Sequence, residues 1–143
     1  MGKKRIIKKS GGSDVSGTTR ASSRASKRKI ESATLYITAT FNNTLLTLTD
    51  MKGNVVASAS SGAIGFKGSR KSTPFAAAKV GENIGDKAQA LGVREANIVV
   101  KGVGAGRESA LRSFAGKGIA LGKITDMTPV PHNGPRPPKA RRI

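Results

Sequence analysis

The side chains able to build a core are confined to the middle of this chain. Val, Ile, Leu and Phe fill 24 of the 95 positions from 34 to 128, but only 6 of the 48 positions outside that span. Segments so poor in apolar residues cannot bury enough surface to offset the entropy lost on ordering. The sequence therefore predicts one compact domain, residues 34–128, between a basic disordered N-terminal arm, residues 1–33, and an extended Pro- and Arg-rich C-terminal tail, residues 129–143. Charge divides along the same lines. The chain holds 26 Lys and Arg against 8 Asp and Glu, a net +18, and the 48 flanking residues carry +12 of it. A one-signed excess repels itself without a counter-charge, which points to a polyanionic partner.

Several classes of function fall away. The chain has no cysteine, and with it go disulfides, Cys-ligated zinc and thiol nucleophiles. No apolar run approaches the roughly 18–20 residues of a membrane span, and the first residues lack the apolar stretch of a secretory signal. Met1-Gly2 is followed at position six by Ile6 rather than Ser or Thr, so the myristoylation pattern fails. Neither arm has the amphipathic stripe of a membrane-surface helix. These features lead us to expect a soluble cytoplasmic protein with no membrane partner.

Within the middle, Leu35, Ile37, Ala39 and Phe41 alternate with Tyr36, Thr38 and Thr40, the period-two pattern of a half-buried strand. Asn42-Asn43 is a turn pair because Asn tolerates positive φ. Leu46 and Leu48 mark a second strand ending at Asp50, and Val55–Ser60 a third after the Met51-Lys52-Gly53-Asn54 turn. Short connections make these three an antiparallel meander. Thr73 suits a helix N-cap and Pro74 the first helical position. Ala77, Val80, Ile84, Ala88 and Leu91 then recur at helical spacing until Gly92. Gly81 and Gly85 inside that helix suggest close packing on the sheet. Ala96–Val103, with Ile98-Val99-Val100, reads as a strand buried on both faces. A second helix from about Arg107 to Gly116 buries Ala110, Leu111 and Phe114, and a last strand runs from about Lys123 to Met127. The result is an α/β single domain with a mixed sheet in β-β-β-α-β-α-β order.

Gly102-Val103-Gly104-Ala105-Gly106-Arg107 joins a strand to a helix, where backbone N–H groups can hold an anion. It is neither a P-loop nor a dinucleotide fingerprint, since Arg107-Glu108 follow Gly106 and Ser109 stands at the third-glycine position. A tight turn explains the glycines equally well, while Arg107 favours one phosphate of a nucleic-acid backbone. The element order resembles ribonuclease-H-like topology, whose nucleases hold metals with clustered carboxylates. Those carboxylates are missing: Glu82 and Asp86 share a helix face flanked by Lys79 and Lys87, and His132 has no nearby partner. We therefore expect no catalytic residue, metal, cofactor or small-molecule substrate. Cations cluster in both arms, at Lys67, Arg70 and Lys71, and around the second helix at Arg107, Arg112 and Lys117. Tyr36 and the four phenylalanines are read mostly as core residues, too few for a base-stacking surface. Binding is then chiefly to phosphate and shape, which suits folded RNA. Asn133-Gly134 adds a chemical expectation, because glycine leaves the preceding amide open to deamidation.

One series of motifs is more specific. Asn42-Asn43-Thr44, Gly68-Ser69-Arg70-Lys71-Ser72-Thr73-Pro74-Phe75-Ala76-Ala77, Gly106-Arg107-Glu108-Ser109, Thr125-Asp126, Pro131-His132-Asn133-Gly134 and Arg136-Pro137-Pro138-Lys139 occur in order over residues 33–143. Together they resemble the small-subunit ribosomal protein eleven family of bacterial or organellar type. Val103, Ala105 and Pro135 depart from its usual residues, and residues 1–32 have no counterpart. The resemblance implies a structural protein on the platform of the small ribosomal subunit, bridging separate helices of a 16S-type rRNA beside the messenger exit and Shine–Dalgarno cleft. It further implies contact with small-subunit proteins seven, eighteen and twenty-one, and proximity to initiation factor three and messenger RNA, in a bacterial cytoplasm. The expected RNA contacts are Asn42, Asn43, Lys67, Arg70, Lys71, Arg107, Arg112 and Lys117, with His132, Asn133, Arg136, Lys139, Arg141 and Arg142 in the tail.

Overall fold

A computed structural model describes residues 29–136, 138 and 139. The N-terminal arm up to residue 28, together with Arg141 and Arg142, lies outside the described residues. Five strands form one sheet in the order β3-β2-β1-β4-β5: β1 (Ser32–Ala39), β2 (Thr44–Asp50), β3 (Val55–Ser60), β4 (Glu95–Lys101) and β5 (Ala120–Asp126). The meander β1-β2-β3 is antiparallel, whereas β4 runs parallel to β1 and β5 parallel to β4. A short 3₁₀ helix, Gly68–Ser72, leads into α1 (Pro74–Ala90), and α2 (Arg107–Ala115) joins β4 to β5. The α/β order and mixed sheet agree with the sequence. No helix among the described residues is long and apolar enough to cross a membrane.

Alternation decides which side of the sheet is covered. Leu35 and Ile37 of β1, Leu46 and Leu48 of β2, and Ala96 and Ile98 of β4 are fully buried and meet Val80, Ile84 and Ala88 of α1 and Phe114 of α2. Both helices therefore lie on one face. The opposite face, with Tyr36, Thr38, Val99 and Lys101 beside Met127, carries a depression of about 250 Å³. β4 is thus not buried on both faces as its apolar run suggests: Asn97 and Val99 are only partly covered. An unbroken apolar triplet cannot reveal that a second layer is missing. Nor do the aromatics fill the core. Phe114 is buried, but Phe41, Phe75 and Tyr36 are 76%, 65% and 41% exposed. Phe41 lies beyond the end of β1, and Phe75 faces outward in the first turn of α1, edge-on to Phe66.

The helices approach closely because α1 presents glycines to α2, not to the sheet. A Cβ at Gly81 would sit 2.5 Å from the Ala110 carbonyl oxygen, and one at Gly85 would sit 2.6 Å from Cγ of Lys117. The helix-propensity cost of about 1 kcal/mol per glycine accompanies this contact. Thr73 caps α1 as the sequence predicts, accepting from the Ala76 N–H at 3.3 Å. At the other end, Gly92 at φ +81° closes a Schellman motif, with Val93 N–H on Ala88 O and Gly92 N–H on Gln89 O. The β1–β2 turn forms at Asn42-Asn43, yet neither asparagine has positive φ; Asn133 is the one non-glycine that does among the described residues. Thr40 holds that turn instead, its hydroxyl donating to Asn43 O at 3.0 Å and accepting from Asn43 N–H at 3.1 Å. Order also begins slightly before Thr34, because Ile30 packs against the core and donates to Leu91 O.

Candidate nucleic-acid interface

Strands β1, β3, β4 and β5 all end, and β2 begins, at the same edge of the sheet, where both helices also start. Three connections meet there: the 40–43 turn, the 61–73 segment and the 102–106 loop. Backbone contacts bind them together. Gly104 N–H donates to Ala39 O, Ser61 N–H to Thr44 O, and Phe66 N–H to Ser61 O. The glycines of the 102–106 loop are explained by packing. A Cβ on Gly102, at φ +99°, would run into the Ala39 carbonyl, and one on Gly104 into that of Thr40. The loop is therefore pressed against the end of the central strand. Gly106, at the N-cap of α2, supplies no side-chain hydrogen bond.

The 61–73 segment carries the cations. Lys67 precedes the 3₁₀ helix, and Arg70 and Lys71 occupy its last turn. Thr73 makes the junction rigid, because its hydroxyl donates to Arg70 O at 2.8 Å while also capping α1. Lys67 and Arg70 are exposed, and the stem of Lys71 lies over Gly62. Among the described residues, no carboxylate lies within ion-pair distance of any of the three. Both helices point their N-termini, each worth about half a positive charge, toward this edge.

The remaining cations are deployed differently. Arg107 donates from Nη1 to Gly102 O at 2.6 Å and from Nη2 to the Asp126 carboxylate. Asp126 in turn accepts from Thr128, through its hydroxyl at 2.6 Å and its N–H at 2.9 Å. The bonds from Thr128, reinforced by the Arg107 guanidinium, hold the Asp126 carboxyl down at about 2. Lys117, beyond the far end of α2, pairs with Asp86 at 2.6 Å, and this bond raises its pKa. Arg112 is exposed in the last turn of α2. The fold thus gathers Asn42, Asn43, Lys67, Arg70, Lys71 and Arg107 at one edge and leaves Arg112 and Lys117 toward the other.

The tail leaves this same edge after Thr128. It is not continuously extended: His132 and Asn133 form a turn, with Asn133 at φ +53° and Gly134 tight against Pro131. Arg136 and Lys139 follow it, both exposed. Sequence reasoning had no means to find Thr73 as the brace of the cationic turn or Asp126 as the partner of Arg107. The second pair is separated by 19 residues, and only the α2 crossover brings them together. The model of one protein family, described as Ribosomal protein S11, matches residues 33–142 of the chain.

Proposed function

The chain belongs to the ribosomal protein S11 family and is accordingly a structural, rRNA-binding component of the small ribosomal subunit; from that premise we propose that it sits on the platform and bridges separate rRNA helices beside the messenger exit and Shine–Dalgarno cleft. The compact domain, residues 34–128, sets the geometry. The arms, residues 1–33 and 129–143, run between RNA helices that would otherwise repel one another, and their ordering entropy is met on the RNA. Phosphate contacts come from Lys67, Arg70 and Lys71, with Asn42 and Asn43 beside them. Arg136, Lys139, Arg141 and Arg142 extend the contact along the tail, and His132 and Asn133 place its turn. Arg107 joins this edge while bonded to Asp126, and Arg112 and Lys117 reach RNA only if it wraps the far end of α2. The neighbours are small-subunit proteins seven, eighteen and twenty-one, with initiation factor three and messenger RNA nearby, on ribosomes of a bacterial cytoplasm.

One observation carries this reading. Lys67, Arg70 and Lys71, none of them paired with a carboxylate among the described residues, share an edge with two helix N-termini and with the exit of the basic tail, so a phosphate backbone there meets a cluster of free cationic donors. The test is sedimentation of the tagged chain from its native cell through sucrose gradients at rising salt. Stoichiometric migration with the small subunit that persists at moderate salt is expected. Retention at the top of the gradient, or spread over all cellular RNA, would overturn the platform assignment.

A further inference from the structure

We propose that Arg107 and Asp126 form a clasp that sets the direction in which the basic tail leaves the domain, making both positioning residues for the tail's contact with RNA. The proposal rests on the rRNA-binding reading above and assigns Arg107 a part other than phosphate ligand.

The bonds form a closed ring. Arg107 donates to Gly102 O and to Asp126; Asp126 accepts from both the N–H and the hydroxyl of Thr128; the Thr128 hydroxyl accepts from Gly102 N–H at 3.2 Å. Both backbone polar groups of Gly102 are thereby used, and Gly102 itself is packed against Ala39 at the end of the central strand. The ring is fixed to the central strand of the sheet on one side and to the last residue before the tail on the other. Thr128 precedes Pro129, which restricts its backbone to extended conformations, and Pro131 fixes a further φ. A direction imposed at Thr128 is therefore carried into the tail as far as the turn at His132 and Asn133. Met127 N–H on Val100 O at 2.8 Å holds the approach to the ring in register. Chemistry argues against a phosphate at Arg107, because the carboxylate already on its fork cancels the charge a phosphate would seek.

The two roles predict opposite signs for one substitution. Asp126→Asn removes the anion and leaves Arg107 in place. If Arg107 holds phosphate, freeing it tightens binding and steepens the salt dependence; if it belongs to the clasp, binding weakens. The assay is affinity for small-subunit particles reconstituted without this chain, measured across a salt series. For Asp126→Asn and Arg107→Ala alike we expect affinity to fall about tenfold, as the tail loses effective concentration at its site, with the log–log salt slope unchanged. In a chain whose tail cations Arg136, Lys139, Arg141 and Arg142 are changed to Gln, neither substitution should weaken binding further. Tighter binding by Asp126→Asn, or a slope lowered by about 0.7–0.9 in Arg107→Ala, would overturn the clasp.

A readout without RNA separates this proposal from the reading beneath it. The chain has no cysteine of its own, so spin labels at Val130→Cys and Ser58→Cys report one distance in the free protein. A narrow distribution that broadens in Asp126→Asn is expected, and an unchanged distribution would overturn the clasp even if binding fell. Failure of the unaltered chain to bind the particles would instead remove the rRNA reading while this distance result stood.

Discussion

At the edge where β1 begins, each turn closes on its own hydrogen bonds. The Asp50 carboxylate accepts from the N–H groups of Lys52 and Asn54 and from the Asn54 side chain, all at 2.9 Å, and α1 ends in a complete Schellman motif. The opposite edge is less comfortable. Its 102–106 loop is pressed onto backbone carbonyls, and the buried hydroxyls of Thr44 and Ser61 have no hydrogen-bond partner among the described residues. Its Lys67, Arg70 and Lys71 form a cluster that pairs with no carboxylate among the described residues. Local strain and unsatisfied groups gather where a protein meets its ligand, held there by the surrounding structure. The contrast supports the proposal that the second edge is the one that meets RNA.

Substitutions matched across the two edges can break this contrast. Gly102 and Gly53 both have positive φ, at +99° and +86°, but only Gly102 faces backbone within 4 Å. Gly102→Ala should cost about 3 kcal/mol or more and Gly53→Ala about 1 kcal/mol in urea unfolding, since only the first adds a backbone clash to the strain. Equal losses would mean that the loop is not pressed home. Next in size is the pair Arg70→Ala with Lys71→Ala. The fold should stay within about 0.5 kcal/mol, while the log–log salt slope of rRNA binding drops by about 1.4–1.8 for two lost phosphate contacts. Lys52→Ala with Lys87→Ala, at the other edge, should leave that slope alone; an equal drop there would show that the charge acts only in bulk. Thr44→Val removes an unpaired buried hydroxyl at nearly constant volume. It should stabilise the protein by about 0.5–1 kcal/mol, whereas a loss would reveal a partner for that hydroxyl.

The smallest effect is on acid stability. Asp126 sits at about 2 against its usual 3.8, so its folded form binds a proton less readily than its unfolded form. Its contribution is complete above about pH 4 and is lost as pH falls through 2. Asp50, at the opposite edge, is lowered as well, chiefly by Asn54. Unfolding of Asp126→Asn should therefore show a flatter pH dependence between 4 and 2 than the unaltered chain, and an identical profile would remove Asp126 as a contributor.

What the sequence disclosed, and what it withheld, follows from how far each signal reaches. Period-two alternation placed β1 and β2 within two residues, the turn at 51–54 placed β3, and Thr73-Pro74 marked the start of α1, because all depend on neighbours along the chain. The run Ile98-Val99-Val100 could not disclose that one face of β4 stays open, since that depends on where α2 crosses. Phe75 and Phe41 were misassigned because hydrophobicity does not specify which side of a helix or which end of a strand faces inward. In the site, Lys67, Arg70 and Lys71 were visible as a cluster of cations. Their freedom from carboxylates, and the capture of Arg107 by Asp126, arise only when residues 19 positions apart meet.

The uneven placement of acids has a consequence for how the molecule approaches RNA. Among the described residues, Glu31, Asp50 and Glu95 lie at the first edge, Glu82 and Asp86 sit along α1, and the second edge holds Glu108 and the engaged Asp126. Two parallel helix dipoles add to the separation. The N-terminal arm, with ten Lys and Arg against two acids, joins the domain at the first edge, so a polyanion is drawn to both ends of the sheet, and the scarcity of free carboxylates at the second edge removes repulsion there and does not by itself set the orientation.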